Sequence, residues 1–265
     1  MNIYLHEIKQ YRKSATIWTV SMIAVQLMFL SLFREFMSDS EAFMKIFEGL
    51  PKEVISGFAM DLKNLLSFNG YYGYIMTFII LFMSIMGMNL GLALFSRENT
   101  DKTADFLMTK PVKRETVVAA KLMAGITIIV ITNVILIAEV FFIAGVLLDV
   151  EFDKGVCILL GLSVLITELL FFAMGALWAV FAKRIRSVVT VSVSIVMTFF
   201  IASTISRIIE EDKVKIVLPF RYFESIYILR EKSYEPVFFI TSIAAVAVFI
   251  GLSFLVFKRK DIHAV

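Results

Sequence analysis

The sequence predicts an all-α membrane protein with six transmembrane helices, and three observations carry that prediction. The chain has 265 residues, 59% of them apolar and only 18% charged, with a mean hydropathy of +0.86. A soluble domain carries about 45–50% apolar and about 25% charged residues. The excess is gathered in six runs of 19 residues or more, and a helix needs about 20 apolar residues to cross ~30 Å of hydrocarbon. The runs are continuously apolar instead of alternating, which excludes a transmembrane barrel. The same observations exclude a water-soluble globule, a disordered chain and a disulfide scaffold; the single cysteine, Cys157, permits no internal disulfide.

Residues 1–14 read as a short amphipathic helix lying in the inner interface, with Ile3, Ile8 and Tyr11 on one side and Glu7, Lys9 and Arg12 elsewhere. The alternative is a solvated basic tail. Span one, Ala15–Phe33, is longer than the apolar core of a signal peptide, and no small-x-small site follows it, so it is a retained anchor. In the 34–70 loop, Ser40 can cap a helix whose Phe43, Ile46, Phe47 and Leu50 share a face. Pro51 ends that helix and suits the first turn of a second, which continues the apolar stripe through Val54, Ile55, Phe58 and Leu62. Two outer-face helices result. Spans two to six are Tyr71–Ser96, Leu122–Leu148, Gly155–Ala182, Ser187–Ser206 and Val237–Phe257, and the 207–236 loop carries outer-face helices of its own. The whole, 1–265, is one transmembrane domain.

Charge sets the orientation. With the N-terminus inside, the inner segments hold 15 Lys and Arg against 6 acids, and the outer segments 11 against 15. Lys183, Arg184 and Arg186, with Lys258, Arg259 and Lys260, lie at span ends, where the bias counts most. Both termini are therefore expected in the cytoplasm, and the chain in the cytoplasmic membrane as a multi-pass protein.

The 97–121 segment is the most informative stretch. Thr100 or Thr103 can cap a short helix, Phe106 and Leu107 give it an apolar edge, and Pro111 ends it. Such a helix lying on the inner face either docks into a groove on another protein or is an ordinary amphipathic loop. The arrangement Glu98, Thr103, Phe106-Leu107, Lys110-Pro111-Val112, Arg114 and Lys121 resembles the signature of ABC-2 type permeases, the membrane halves of ATP-binding-cassette exporters. Leu50-Pro51, Leu218-Pro219-Phe220-Arg221-Tyr222-Phe223 and Lys258-Arg259-Lys260-Asp261-Ile262 also match the family's habits, while Lys102 stands where the family usually has Gly.

The resemblance implies a coupling helix within 97–121 that sits in a cleft of a separate ATPase subunit. Glu98, Thr103, Phe106, Leu107, Lys110, Pro111 and Arg114 would form that coupling segment. It further implies two ATPase copies, a second permease copy or a homologous permease, and spans two and five flanking a central pathway. ATP and Mg would be bound by the ATPase, leaving this chain without a cofactor. That fits the sequence, in which no Gly-x-x-x-x-Gly-Lys-Ser/Thr loop occurs. The compact length is similar to that of bacterial exporters of antimicrobial or amphipathic peptides, including phenol-soluble-modulin-type toxins. Nothing points to nucleic acid.

Inside the membrane, Glu139 and Glu168 are the sharpest features. They read either as a cation or proton site or as neutral acids hydrogen-bonded to a neighbouring Ser, Thr or Asn. Ser187, Thr190, Ser194 and Thr198 are spaced to share one face of span five, as the lining of a wet pathway or a packing seam. Asn89 sits between Gly87 and Gly91, a spacing that permits close helix approach. The only histidines, His6 and His263, lie in the tails, so no His-based metal site or triad forms within the membrane. The expected activity is outward export of an apolar or amphipathic molecule by alternating access. Its rivals are an ion-gradient transporter using Glu139 and Glu168, and a non-transporting sensor or immunity protein.

Overall fold

The computed structural model describes residues 3–100, 114–182 and 185–259. Among the described residues the chain is helical, with no strand. Six helices are long and apolar enough to cross a membrane: Ile3–Ser38, Phe68–Ser96, Glu115–Leu147, Lys154–Phe181, Val188–Ile208 and Pro236–Phe257. This bears out the all-α, six-span prediction.

Helix α1 runs unbroken from Ile3 to Ser31. The expected interfacial helix before span one is therefore corrected: from Ile3 on, the residues before Ala15 continue straight into the span. No Gly or Pro interrupts this stretch, so nothing breaks the hydrogen-bond ladder. Its one buried charge, Glu7, is held inward: Lys121 Nζ lies 3.0 Å from Glu7 Oε1 and also donates to the Leu94 carbonyl at 2.8 Å. That lysine ties α1 to the two helices on either side of the 97–121 segment.

The 34–70 loop contains α2 (Phe33–Ser38), α3 (Ser40–Glu48) and α4 (Lys52–Gly57). Phe33 and Phe36 are buried, with ring centroids 5.4 Å from Phe68 and Tyr71 respectively, and the Tyr71 hydroxyl donates to the Phe29 carbonyl at 2.9 Å. Ser40 is the first residue of α3, not its cap; the cap position is Asp39, whose side chain makes no capping bond. Pro51 caps α4 as a bend with no N–H to satisfy. No residue of α3 is buried, whereas α4 leans on the fifth span through Gly57, close to Thr204 and Ile208.

Helix α5 (Phe68–Thr100) and α7 (Lys154–Phe181) form the most extensive contact among the described residues, with α6 (Arg114–Phe142) and α10 (Pro236–Arg259) against α7 and α1 against α6. Helix α6 ends in a π-turn over Ile143–Leu147, closed by Arg34, which donates to the Leu148 carbonyl at 2.6 Å. The α5–α7 seam is made by absent side chains. A Cβ at Gly91 would fall 2.2 Å from the Phe172 carbonyl oxygen, one at Gly87 2.5 Å from that of Glu168, and one at Gly175 2.6 Å from that of Met88. Backbones meet here as they do in small-residue membrane interfaces.

Helix α8 (Val188–Ile208) and α10 lie at the edge. Only 22% and 11% of their apolar windows are buried, against 72% for span two and 67% for span four. The 207–236 loop folds into 3-10 turns at Lys215–Val217 and Pro219–Arg221 and a short α9 (Ser225–Glu231).

Candidate functional site

Polar side chains inside the spans collect along one seam between α1, α6 and α7. Thr19 and Thr132 hydroxyls are 3.2 Å apart. Gln26, fully buried, donates through Nε2 to the Leu136 carbonyl at 3.0 Å and to Glu139 Oε2 at 3.4 Å. Asn133 donates through Nδ2 to the Ile129 carbonyl at 2.9 Å and to Glu168 Oε2 at 2.7 Å. Gln26 and Asn133, together with Tyr72, line a cavity with room for about one water molecule. Each glutamate is bound by a different amide, and both amides border that cavity. Gln26 Oε1, Glu139 Oε1 and Glu168 Oε1 accept no hydrogen bond. A buried polar atom without a partner costs about 1–3 kcal/mol, so the seam favours a donor such as water beside these oxygens.

Glu139 and Glu168 drew attention in the sequence as lone acids in apolar runs. Gln26, Asn133, Thr19 and Thr132 escaped it, although each is a polar residue inside a span and could have been read by the same rule. Asn89 is half-buried between the two glycines of the α5–α7 contact.

The span-five hydroxyls divide into two groups. Ser187 is the N-cap of α8: its Oγ accepts from the Thr190 N–H at 3.2 Å and bonds the Thr190 hydroxyl at 2.8 Å. Thr190, Ser194 and Thr198 are exposed, and the Thr198 hydroxyl is returned to the Ser194 carbonyl at 2.7 Å. Ser192, Ser203 and Ser206 face inward. A polar stripe thus runs down the uncovered side of a membrane helix.

At the far end of α8 a charged cluster closes the 207–236 loop. Arg221 is buried and donates to Glu224 Oε1 at 3.1 Å, Ser206 Oγ at 2.9 Å, the Glu211 carbonyl at 3.2 Å and Asp212 at 2.9 Å. Arg207 Nη2 donates to the Phe220 carbonyl at 2.6 Å. Tyr222, whose hydroxyl donates to the Ile216 carbonyl, has its phenol pushed up by burial. On the adjoining short loop, Asp153 caps α7 by accepting from the Gly155 and Val156 N–H groups, and it also accepts from Lys232 Nζ at 2.6 Å. The lysine hydrogen bond, then the backbone N–H groups, hold its carboxyl below the usual range.

Of the coupling residues, Glu98 and Arg114 fall at the ends of α5 and α6, with side chains outside the described set; Thr103, Phe106, Leu107, Lys110 and Pro111 lie outside the described residues. Among the described residues, no group of three His, Cys, Asp or Glu comes together that could hold a metal ion.

Among the described residues, the polar side chains inside the spans form buried seams between close-packed helices. A search of curated proteins finds no match. The family model described as ABC-2 family transporter protein matches residues 1–262. The chain accordingly belongs to the ABC-2 family of transporter proteins, as a multi-pass membrane permease of the kind that generally works with an ABC ATPase.

Proposed function

We propose that this permease exports an apolar or amphipathic molecule, with both termini in the cytoplasm, by alternating access driven through the 97–121 segment. The observation that carries the reading is the exposed Thr190, Ser194 and Thr198 stripe on α8. The Thr190 and Thr198 hydroxyls donate to Ser187 Oγ and the Ser194 carbonyl, and a wet pathway between two permease copies would hydrate the acceptor capacity they keep. Helix α8 and α10, the least covered spans, are where a second copy has room to pack. The partner is then an ABC ATPase in two copies, which binds ATP and Mg, while this chain supplies the coupling segment and the path.

The walls support the cargo class. The exposed faces of the spans are mainly apolar, with Thr16, Ser21 and the α8 stripe among their polar points, so the path suits a molecule with apolar and polar faces of its own, an amphipathic peptide being the clearest example. The test is ATP-dependent movement of an amphipathic helical peptide in proteoliposomes holding the permease and its ATPase. Phe106→Asp/Leu107→Asp should abolish both ATPase capture and movement while the protein still folds. A wild-type chain that captures no ATPase, or a complex that moves no such peptide, would overturn the reading.

A further inference from the structure

Helix α1 is bound to α6 by a ladder of polar contacts. The Tyr4 and Thr127 hydroxyls are 3.0 Å apart, Lys121 Nζ donates to Glu7 Oε1 at 3.0 Å, and the Thr19 and Thr132 hydroxyls are 3.2 Å apart. Gln26 Nε2 donates to the Leu136 carbonyl at 3.0 Å, and past the end of α1 Arg34 Nη2 donates to the Leu148 carbonyl at 2.6 Å. Of these rungs only Glu7–Lys121 joins two charges, and it is buried, with side chains 9% and 3% exposed. It also reaches a third helix, since Lys121 Nζ donates to the Leu94 carbonyl of α5 at 2.8 Å. Leu94 lies six residues before the end of α5 at Thr100, and Lys121 seven after the start of α6 at Arg114. These are about 9 Å and about 10 Å along the helices at ~1.5 Å per residue. One ammonium thus joins α1 to both helices that carry the ends of the 97–121 segment.

Apolar helix faces slide in a bilayer at little cost, because lipid tails replace the contacts they lose. A buried ion pair has no such replacement: parting its members leaves each charge without its partner and out of water. We infer that Glu7 and Lys121 are positioning residues for coupling: the pair makes α1 follow α6, register intact, when the ATPase displaces the segment between α5 and α6. The inference rests on the proposed coupling role of that segment. On α8, by contrast, the hydroxyls of Ser192, Thr198 and Ser203 return to carbonyls of their own helix, so they do not hold α8 to a neighbour.

The test uses the full-length permease with its ATPase in nanodiscs, in a Cys157→Ser background, with nitroxide pairs read by pulsed electron paramagnetic resonance. Lys9→Cys on α1, Thr116→Cys on α6 and Phe181→Cys in the last turn of α7 put the labels at exposed positions. Trapping with ATP and vanadate should shift the Thr116–Phe181 distance and leave the Lys9–Thr116 distance unchanged. Glu7→Leu/Lys121→Met removes both charges together, and the Lys9–Thr116 distance should then shift on trapping while ATP turnover persists. A merely structural pair would leave that distance unmoved in a variant whose thermal stability matches wild type. Glu7→Gln/Lys121→Met, nearer the native volume, decides the matter if the first double variant fails to fold. A Lys9–Thr116 distance that shifts in wild type, or one that stays fixed in folded double variants while Thr116–Phe181 shifts, would overturn the inference. A fixed Thr116–Phe181 distance in a wild-type complex that hydrolyses ATP would overturn the coupling reading itself, and the inference with it.

Discussion

Gly91→Ala should damage this protein more than its single added methyl suggests. The new Cβ would lie 2.2 Å from the Phe172 carbonyl oxygen, 2.8 Å from the Ala176 nitrogen and 3.1 Å from the Phe172 carbonyl carbon. An ordinary carbon–oxygen contact is about 3.3 Å, so α5 and α7 must part locally by roughly 1 Å. All three opposing atoms are backbone, so no rotamer change relieves the clash. A gap of 0.5–1 Å forfeits about a quarter to a half of each contact's attraction, and overpacking in a tight core costs about 1–3 kcal/mol. The seam is the largest among the described residues, which places the cost near the upper end, against a gain of up to about 1 kcal/mol from replacing a helical glycine. The net is about 2 kcal/mol, or some 4–8 °C in apparent Tm for a protein of this size. Gly251→Ala is the control, since nothing lies within 4 Å of its added carbon. The assay is loss of monodisperse protein on heating in detergent, followed by fluorescence-detected size exclusion. A Gly91→Ala curve that superimposes on that of Gly251→Ala would refute the reasoning.

Lys121→Met leaves Glu7 buried without its cation and should cost about 3–5 kcal/mol, most of it recovered by Glu7→Leu/Lys121→Met, in the same thermal assay. Glu168→Gln keeps the shape and an oxygen for Asn133 to bind, so stability should change little, while Glu168→Leu leaves the Asn133 amide only its bond to the Ile129 carbonyl and should cost about 1–3 kcal/mol. Loss of transport in Glu168→Gln with stability intact would assign the carboxyl itself a part in the pathway. Asp153 gives a pH dependence with a definite sign. Its folded carboxyl titrates below the unfolded value of about 3.9, so its contribution is present above that pH and is lost as pH falls through the folded value. Asp153→Asn keeps the cap and should flatten the acid limb of stability against pH.

Six spans were legible because the hydrocarbon thickness imposes one length and one composition on every crossing helix, and the runs meet both. The ends were less so. Span one extends back to Ile3 because the Glu7–Lys121 pair depends on a residue more than a hundred positions away, which no local pattern records. The same limit applies to Ser40, where cap and first helical residue are chemically interchangeable and the backbone alone decides. Gly87 and Gly91 were readable as a close-approach motif, whereas Gly175 on the opposite helix carried no pattern of its own.

Polar residues in the spans show where reading by residue type stops. Ser187, Thr190, Ser194 and Thr198 recur at helical spacing and are alike in chemistry, yet Ser187 closes a helix end while the other three face outward. Ser192, Ser203 and Ser206, of the same kind and in the same helix, are buried. Spacing assigns a residue to a face; only the neighbouring helices decide whether that face is core, lipid or path. Gln26 and Asn133 are the converse: neither is charged, so neither stood out, yet they hold the two glutamates and border the same cavity. In a bilayer the cost of an unmatched polar atom falls on amides and hydroxyls as well as on acids. A sequence reading that weighs every intramembrane hydrogen-bonding group, and then asks which of them share a turn of facing helices, would have found the whole seam instead of its two acidic ends.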